Sequence, residues 1–492
     1  MAFSHALSVA DFSDIPSLEN VNDMCSAFYC HLREAMACIP STYVTLSKND
    51  KPWITPVLKS LINKRWNAYR NKQWHLFTHY KFKIKNEIRK AKLVWTQRQI
   101  NSSRNVWKVV NEVRGKNNTD CFSALIRDHR GIDTFLSMVQ DYLSCNFNHE
   151  KDAVMPFEDD ELWSFHVSIS EVHRALKKLK VSKSCGSDDI PNRLLREGAD
   201  WLSWPLYHIF VKSVKDRVFP DVWKLANVTL VPKCKRPSIN NLRPVSLTPV
   251  ISKIFEKFVL NSVRPHLLPL FGPNQYALRR HGSTESALIR MHDSITTYLD
   301  DPNIAAVRLT CLDLTKAFDR LQHSILLNRL ISGGVNAGFI LWLRSYLENR
   351  TQRLKLHDSF GPITKIPSGV PQGSIIGPIL FAACMGTLVI SSDSALVIYA
   401  DDITLIEPIF KQEQKSSYNL KSVQEWIKRN NMSINIKKST QMIFYRSKNE
   451  DFSYPNIDVC QQIKILSVVQ THLCLGVLIM MLFYGSLRSG CM

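Results

Sequence analysis

The sequence lacks paired cysteines, a secretory leader and a long hydrophobic run. Its twelve cysteines include no CxxC pair and no Cys/His set at zinc-site spacing, which predicts free thiols in a reducing compartment, without disulfides or structural zinc. The N-terminus has neither the basic nor the apolar stretch of a secretory signal. The longest apolar run, residues 473–485, is shorter than the ~18 residues that cross a bilayer. We therefore expect a protein that is neither secreted nor embedded in a membrane.

Acidic residues are scarce in one part of the chain. The 492 residues carry 63 Lys and Arg against 43 Asp and Glu, a formal net charge of +20, which favours a polyanionic partner such as nucleic acid. Residues 51–120 hold seventeen of the cations and three of the acids, whereas residues 1–50 are acidic. The positive charge thus belongs to one segment and not to the whole protein.

Glycine and proline are nearly absent from residues 54–113, which predicts long amphipathic helices. Aromatic residues alternate with the cations there, and two interpretations stay open: a solvated helical face above an aromatic core stripe, or a surface that follows a phosphate backbone. One basic cluster could bind RNA or act as a nuclear import signal, so we expect a nuclear or cytoplasmic ribonucleoprotein. Its cations are Lys81, Lys83, Lys85, Arg89, Lys90 and Lys92.

Beyond residue 131 the pattern changes to mixed helix and strand. Ten prolines between residues 191 and 273 exclude a helical bundle and favour an α+β fold. Residues 305–314 are predicted to form a buried strand, and residues 316–330 a single amphipathic helix after it. Residues 395–399 and 403–406 are predicted to form a tight hairpin with two acids at its tip.

The acids at these strand ends are the first candidates for chemistry. Asp313 follows one apolar strand, and Asp401 and Asp402 lie between two others. Carboxylates in such places are costly unless a cation neutralises them. Two divalent ions held by acids on neighbouring strands can promote phosphoryl transfer, and hard oxygen ligands suit Mg²⁺. For an isolated Asp-Asp pair the alternative is a simple turn.

A glycine-rich loop separates the two acidic strands. It reads PSGVPQGSIIGP over residues 367–378, where glycines permit close backbone approach and Gln372 offers an amide to a base or sugar edge. The order D-x-x-x-x-F, then SGVPQGS, then YADD resembles the successive palm motifs of reverse transcriptases. The resemblance is closest to the polymerases of non-LTR, LINE-type retrotransposons of the jockey and CR1-like group.

Further blocks in the same order extend this resemblance over residues 50–477. They are residues 186–192, 223–233, 242–257, 274–284, 426–440 and 475–477. The resemblance implies a right-hand polymerase fold with fingers and palm behind a basic helical extension. Its expected parts are an acidic segment (1–50), a basic linker or RNA-binding extension (51–150), fingers (151–300), palm (301–477, with the reverse transcriptase core from about 225) and an apolar tail (478–492).

The resemblance also implies a metal site. Asp313 and Asp401 match the family's metal ligands, the Leu314 carbonyl assists them, and Asp402 is a weaker third carboxylate. The expected cofactor is a pair of Mg²⁺ ions, with Mn²⁺ as a substitute. Lys438 matches a lysine near the leaving pyrophosphate, a candidate general acid. Lys437, directly beside it, is the alternative match to that position.

Substrate-binding residues follow from the same motifs. Phe318 matches the steric gate that excludes a ribose 2′-hydroxyl, so the implied product is DNA. Lys233 and Arg243 match cations that hold the triphosphate, with a surface cation beside a proline turn as the alternative. Gln372 and Gly373 match the nucleotide and template site. The implied partners are an RNA template, a DNA primer and dNTPs.

Departures from the family pattern leave a second function open. After residue 477 the pattern ends where a thumb is expected, and no endonuclease block precedes the basic segment. We therefore expect a chain that lacks both and depends on a separate endonuclease. The alternative is a weak or inactive nucleic-acid-binding remnant of such an element. An RNA-dependent RNA polymerase is disfavoured by Phe318 and by the YADD sequence. Asp319 is expected only to favour the start of a helix.

Overall fold

The structure is a computed structural model that describes residues 2–39, 50–51, 53–102, 122–128, 131–145, 147, 163–181, 185–234, 238–391, 393–411, 418–445, 457–466 and 468–471. Residues 473–485, the block at 475–477 and the tail lie outside these ranges. The chain divides into two compact units, one of residues 3–34 and 129–492 and one of residues 35–128. Within the described ranges, no helix is long and apolar enough to cross a membrane, and none of the nine cysteines forms a disulfide.

Two N-terminal helices, α1 (Ala2–Val9) and α2 (Val21–Ala37), begin the chain. In the larger unit, α2 buries Phe28 and Tyr29. The Tyr29 hydroxyl donates to the Asp188 carboxylate at 3.1 Å and accepts from the Trp223 indole N–H at 3.0 Å. Because these bonds join residues 159 and 194 positions apart, the acidic N-terminal segment contributes to the core of this unit.

The smaller unit is built on a helical hairpin. Helix α3 (Pro56–Arg70) begins where Thr55 accepts a hydrogen bond from the Leu58 backbone N–H at 3.2 Å, a typical N-cap. Helix α4 (Trp74–Ser102) follows after a short turn, and α5 (Phe122–Asp128) comes later. Leu58, Leu61 and Ile84 form the buried core of the hairpin. The prediction of long helices in residues 54–113 is confirmed by α3 and α4, and residues 103–113 lie outside the described ranges.

The larger unit contains the remaining elements. Its helices are α6 (Ile132–Ser144), α7 (Ile169–Lys177), α8 (Asn192–Glu197), α9 (Ala199–Lys215), α10 (Val250–Leu267), α11 (Thr284–Asp300), α12 (Ala317–Arg320), α13 (His323–Ser332), α14 (Ala337–Leu347), α15 (Gly377–Met385) and α16 (Tyr418–Arg429). Its strands are β1 (Leu225–Pro232), β2 (Leu242–Leu247), β3 (Ile304–Leu312), β4 (Thr351–Leu356), β5 (Ser359–Phe360), β6 (Thr364–Lys365), β7 (Ala395–Tyr399), β8 (Asp402–Phe410), β9 (Thr440–Tyr445), β10 (Asp458–Val459), β11 (Gln462–Ile465) and β12 (Val468–Thr471). The predicted α+β class is confirmed.

Two sheets carry the candidate site. In the first, the order is β2-β1-β4-β5, with β6 paired to β4, and in the second it is β10-β9-β3-β8-β7. Strand β3 is antiparallel to both β8 and β9, and Leu288, Met291 and Ile295 of α11 belong to the core cluster that includes it. The predicted strand at residues 305–314 is confirmed, and it lies at the centre of its sheet.

The β7–β8 hairpin has the predicted form. Tyr399 pairs with Asp402 across the hairpin, which leaves Ala400 and Asp401 as a two-residue turn. Ala400 has a φ of 57°, a conformation that such tight turns require. The prediction that the acids lie at the tip is therefore confirmed.

The prediction of one helix over residues 316–330 is wrong. The structure has α12 and α13 there, separated by an extended Leu321 and Gln322. The Phe318 carbonyl accepts from the Val370 N–H at 2.9 Å, and the Leu321 carbonyl accepts from the Gly369 N–H at 2.7 Å. Because these carbonyls bond to the glycine-rich loop, they are not used for the next helical turn.

Candidate active site

A cavity of about 760 Å³ in the larger unit lies where β3, β8 and the β1–β2 pair come together. Nine of the residues singled out from the sequence line it: Lys233, Arg243, Asp313, Leu314, Phe318, Gln372, Asp401, Asp402 and Lys438. Gly373 follows Gln372 directly. These residues come from five separate stretches of sequence, and their individual roles remain predictions.

Three carboxylates meet at one end of the cavity. The register that pairs Leu312 with Ile403 brings Asp313, one residue further along, beside Asp402. Burial, followed by the negative charges of Asp401 and Asp313, raises the pKa of Asp402 to about 6, although part of this side chain reaches solvent. Burial also raises the pKa of Asp401, and the Asp313 charge adds to that shift. The three acids therefore repel one another in a partly dehydrated place.

A main-chain oxygen faces the same end of the cavity. The Thr315 N–H donates to the Ser433 carbonyl at 2.8 Å, and the Asn435 N–H donates to the Asp313 carbonyl at 2.7 Å. In an antiparallel pair bonded in this way, the N–H and carbonyl of the residue between, Leu314, point to the opposite side. That is the side of β8 and its acids. The Leu314 carbonyl is thus available beside the carboxylates, and its role as an oxygen donor remains a prediction.

This donor set suits a hard divalent cation. Mg²⁺ is usually held by one or two carboxylates and completes its shell with water or substrate phosphates. In the described part of the chain, no group of three His, Cys, Asp or Glu side chains is placed to hold a metal ion. The fit therefore rests on Asp313, Asp401 and the Leu314 carbonyl, with Asp402 as the weaker member.

Cations line the same cavity as the acids. Lys233 and Arg243 belong to the β1–β2 pair, in which the Lys233 N–H donates to the Asn241 carbonyl at 2.9 Å. Burial lowers the pKa of Lys233, and the positive charges of Lys438 and Arg243 lower it further, against the opposite effect of Asp313 and Asp401. The cavity therefore combines acidic and basic side chains that interact electrostatically, which suits a substrate with phosphates bound through metal.

The turn that carries Lys438 is fixed to the acidic end. The Lys438 N–H donates to the Asn435 carbonyl at 3.0 Å. The next residue, Ser439, is fully buried, and its hydroxyl accepts from the Asp313 N–H at 3.2 Å. Lys438 therefore directly precedes a residue that is hydrogen-bonded to Asp313, a candidate metal ligand.

The glycine-rich loop packs backbone to backbone against two neighbours. A Cβ on Gly369, which has a φ of +82°, would lie 2.6 Å from the Phe318 carbonyl oxygen, and one on Gly373 would lie 2.6 Å from the Ser246 carbonyl oxygen. The Ser246 N–H also donates to the Gln372 carbonyl at 2.8 Å. Only glycine permits this close approach, which places Gln372 at the cavity wall.

The Gln372 side chain has a partner that the sequence did not indicate. Its amide donates to the Asp319 carboxylate at 2.9 Å. Burial raises the pKa of Asp319, and this hydrogen bond partly offsets the shift. The expectation that Asp319 only favours a helix start is therefore incomplete, because the carboxylate also anchors Gln372.

The end of the loop is capped by a buried acid. Glu256 of α10 is fully buried and accepts from the Ile375 N–H at 2.7 Å, the Ile376 N–H at 3.4 Å and the Ser252 hydroxyl at 3.1 Å. Burial raises its pKa, while the Arg350 charge, itself buried, lowers it. Glu256 thus satisfies the backbone just before α15.

Phe318 lines the cavity from α12. Its ring stacks on Phe381 with centroids 4.5 Å apart and an interplanar angle of 29°. Phe381 is buried in α15, so the Phe318 ring is supported from behind. A supported ring of this kind can act as a wall against part of a bound substrate.

Two further cavity residues were not identified as site residues from the sequence. Lys316 has a φ of 50°, and its ammonium lies 5.3 Å from the ring centroid of Tyr142 in α6. Burial lowers the pKa of Lys316, and the Lys233 and Lys438 charges lower it further. Lys316 could have been identified as a site residue from the sequence, because it lies only three residues after Asp313. Nothing in the sequence around Tyr142 links α6 to this cavity.

The six predicted nucleic-acid-binding cations all lie on α4 of the smaller unit. Lys81, Lys83, Lys85, Arg89, Lys90 and Lys92 are all exposed. The Lys92 ammonium lies 4.9 Å from the Trp53 ring centroid. Their exposure leaves them available to an anionic partner, and their binding role remains a prediction.

Comparison with known proteins identifies the fold family. The family model described as reverse transcriptase (RNA-dependent DNA polymerase) matches residues 231–469. The chain is 29% identical over 299 residues to the RNA-directed DNA polymerase from mobile element jockey of Drosophila melanogaster, covering 56% of this chain and 32% of that protein. It is 27% identical over 252 residues to the probable RNA-directed DNA polymerase from transposon BS of the same species, covering 49% and 28%.

The chain thus spans about a third of the length of the curated relatives it matches. Among solved structures, a telomerase from Candida albicans in complex with a fragment of telomeric RNA is similar at a TM-score of 0.39 and 13% identity, over 88% of this chain and 78% of that one. The family match contains β2, β3, the glycine-rich loop and the β7–β8 hairpin, so the predicted palm-and-fingers polymerase fold is confirmed. Residues 231–469 of this chain thus match the reverse transcriptase family, and the relatives that the chain resembles are RNA-directed DNA polymerases of non-LTR, LINE-type mobile elements.

Proposed function

We propose that this chain is an RNA-directed DNA polymerase that extends a DNA primer along an RNA template with deoxynucleotides. The observation that carries the proposal is one cavity lined by Asp313, Leu314 and Asp401 together with Lys233 and Arg243. Acids and cations in the same cavity match the needs of nucleotidyl transfer, in which a hydroxyl attacks a phosphate and pyrophosphate departs.

Reverse transcriptases use divalent metal ions, and we propose two Mg²⁺ ions here, with Mn²⁺ as a substitute. Asp313, Asp401 and the Leu314 carbonyl would hold them, with Asp402 as a further carboxylate. Bound ions of this kind lower the pKa of the primer hydroxyl and neutralise charge on the leaving group. Burial, with the repulsion of the neighbouring carboxylates, raises the pKa values of Asp401 and Asp402, which supports a site that is completed by cations.

The remaining cavity residues would bind and select the nucleotide. Lys233 and Arg243 would contact the triphosphate, since an ammonium and a guanidinium both bind phosphate oxygens. Lys438 would donate a proton to the departing pyrophosphate. Phe318 would exclude a ribose 2′-hydroxyl, and Gln372 with Gly373 would line the nucleotide and template position.

The proposed partners are an RNA template and a DNA primer. The names of two relatives describe RNA-directed DNA polymerases, and the exposed cations of α4 provide a surface for phosphates. A separate endonuclease would supply nicked target DNA. We place the protein in a ribonucleoprotein of the nucleus or cytoplasm.

Primer extension tests the proposal directly. The full chain is incubated with an RNA template, an annealed DNA primer, Mg²⁺ and dNTPs, beside Asp401→Asn. As a matched control, Asp358→Asn changes an exposed acid in the turn between β4 and β5. We expect extension by the wild type and the control and none by Asp401→Asn. RNA binding without extension by the wild type would contradict the proposal and indicate a binding remnant.

A further inference from the structure

Four aromatic side chains cluster at the turn of the α3–α4 hairpin. The Tyr69 ring lies 5.9 Å from Trp66 and 5.7 Å from Trp74, edge-on to both, at interplanar angles of 83° and 85°. Phe77 completes the cluster, with its centroid 5.8 Å from Tyr69 and 6.2 Å from Trp74. None of these four contacts is a face-to-face stack, so ring faces remain for another planar group.

These rings are not part of the hydrophobic core of the hairpin. That core consists of Leu58, Leu61 and Ile84, with Trp53, Ile54, Ile62, Tyr80 and Ile88 packed against it. By contrast, Trp66 is 52% exposed, Tyr69 48% and Trp74 58%. Contiguous exposed apolar surface of this kind usually marks an interaction site. Packing within the smaller unit therefore does not explain the cluster.

The charge around the cluster is almost entirely positive. Residues 53–95 contain eleven Lys and Arg and one acid, Glu87. Lys64, Arg70 and Lys72 are exposed beside the rings in sequence. A ligand of the turn must therefore combine flat apolar groups with negative charge.

We infer that the aromatic cluster at the α3–α4 turn binds the unpaired bases of a single-stranded RNA. The Trp66 and Trp74 rings would stack on bases, and the neighbouring cations would contact the phosphates between them. A duplex buries the faces of its bases and offers them only at its ends, so a single strand fits better. This site lies within the smaller unit and is additional to the polymerase cavity.

Cross-linking locates the site without relying on polymerase activity. The full chain is irradiated with a single-stranded RNA that carries 4-thiouridine, and the cross-linked tryptic peptides are identified by mass spectrometry. Cleavage after Arg65, Arg70, Lys72 and Lys81 separates residues 66–70 from residues 73–81. We expect cross-links in both peptides, also when an unlabelled, fully paired RNA–DNA duplex is in excess. Cross-links confined to other peptides would overturn the inference.

Affinity measurements test the role of the rings. In the full chain, the double variant Trp66→Leu, Trp74→Leu is expected to weaken single-stranded RNA binding by about 10-fold or more, since base stacking on an aromatic ring contributes ~1–3 kcal/mol per base. The slope of log Kd against log salt should not change, because the cations remain. The double variant Trp66→Phe, Trp74→Phe should keep most of the wild-type affinity. A loss that came only from misfolding of the turn would not depend on whether the replacement is aromatic.

The matched control is Trp204→Leu, which removes an exposed indole of α9 in the larger unit and should leave the affinity unchanged. An unchanged Kd in the Trp66 and Trp74 double variant would overturn the inference. Disappearance of the RNA cross-links when phosphatidylserine vesicles are added would also overturn it, because that result would indicate a membrane surface as the ligand. Failure of primer extension with cross-linking intact would reject the polymerase proposal alone.

Discussion

Phe318 is the side chain through which substrate choice can be tested most directly. Its ring lines the cavity and is supported by Phe381. We expect Phe318→Ala to increase the use of rNTPs relative to dNTPs by about 10-fold or more, since removing one packing contact changes discrimination by ~1–3 kcal/mol. The measurement is single-nucleotide extension with each substrate. An unchanged ratio, with dNTP extension intact, would rule out Phe318 as the gate.

The raised pKa of Asp402, about 6 against an ordinary value of 3.8, predicts a cost in stability near neutral pH. The folded protein keeps a proton that the unfolded chain has lost, so this acid contributes less to stability as the pH rises through about 4 to 6. Asp402→Asn should therefore raise the Tm at pH 7.5 in EDTA by about 2 °C, a value that allows for solvent screening.

This gain should shrink towards pH 4.5, where Asp402 is protonated in the folded protein and the ionised fraction begins to fall in the unfolded chain. Asp358→Asn, a change to an exposed acid outside the cavity, should move the Tm at neither pH. Thermal melts of the three proteins at both pH values check the prediction. An equal gain at pH 4.5 and pH 7.5 would show that charge is not the cause.

Two glycines with similar φ angles allow the cost of backbone strain to be distinguished from the cost of a steric clash. Gly369 and Gly334 have φ values of +82° and +69°, but an added Cβ meets backbone only at Gly369, while Gly334 has no atom within 4 Å. Gly334→Ala should cost about 1 kcal/mol, the ordinary penalty for this conformation. Gly369→Ala should cost roughly twice that or more and reduce extension, as measured by urea unfolding and primer extension. Equal losses of unfolding free energy in the two variants would mean that the glycine-rich loop shifts to accommodate the added Cβ.

At the scale of elements, Glu256 connects α10 to the start of α15. Glu256→Ala would leave the Ile375 and Ile376 N–H groups without an acceptor and Arg350 without a nearby carboxylate. Breaking a buried charged network of this kind costs about 3–5 kcal/mol. Urea unfolding should show this loss, and extension should fall because the glycine-rich loop ends at these residues.

The control is Glu348→Ala, which removes an exposed acid paired with Arg344 at 2.7 Å on α14. An exposed pair of this type is expected to contribute less than about 1 kcal/mol. If both variants lost the same small amount of stability, Glu256 would have no special part in holding the loop.

Elements with strong local patterns were predictable from the sequence. Strand β3 and the β7–β8 hairpin follow from apolar runs that end at Asp313 and Asp401, and helices α3 and α4 follow from the absence of glycine and proline. The break between α12 and α13 was not predictable. Residues 316–330 have helical periodicity throughout, and the interruption comes from hydrogen bonds to Gly369 and Val370, which are distant in sequence.

The residues of the candidate site were predictable from the sequence where they lie within recognisable motifs. Lys233 and Arg243 could be proposed because they lie within recognisable blocks. Tyr142 could not, because its helix is brought to the cavity by tertiary packing alone. Glu256 lies in a recognised block too, but its role depends on backbone groups more than a hundred residues away.

For the whole molecule, the uneven charge predicts how nucleic-acid affinity depends on salt. Replacing Lys81, Lys83 and Lys85 with Gln should make the slope of log K against log salt less steep by about 2, because each contacted phosphate of a single strand contributes about 0.7. Fluorescence anisotropy with a single-stranded RNA over a range of salt measures this slope.

The control variant replaces Lys178, Lys180 and Lys215, three exposed lysines of the larger unit, so that the loss of net charge is the same. Its slope should remain that of the wild type. Equal changes in both variants would mean that overall charge, and not the α4 surface, determines binding.

The position of β3 at the centre of its sheet has a consequence for synthesis of the chain. Its two neighbours, β8 and β9, end at Phe410 and Tyr445, about 100 and about 130 residues beyond the end of β3. At ~5–20 residues per second, a ribosome needs roughly 7 to 27 seconds to reach the end of β9. Throughout this time the apolar strand β3 lacks at least one of its two partners. Production of this protein in cells should therefore depend on chaperones that shield nascent chains, and on slow growth at low temperature.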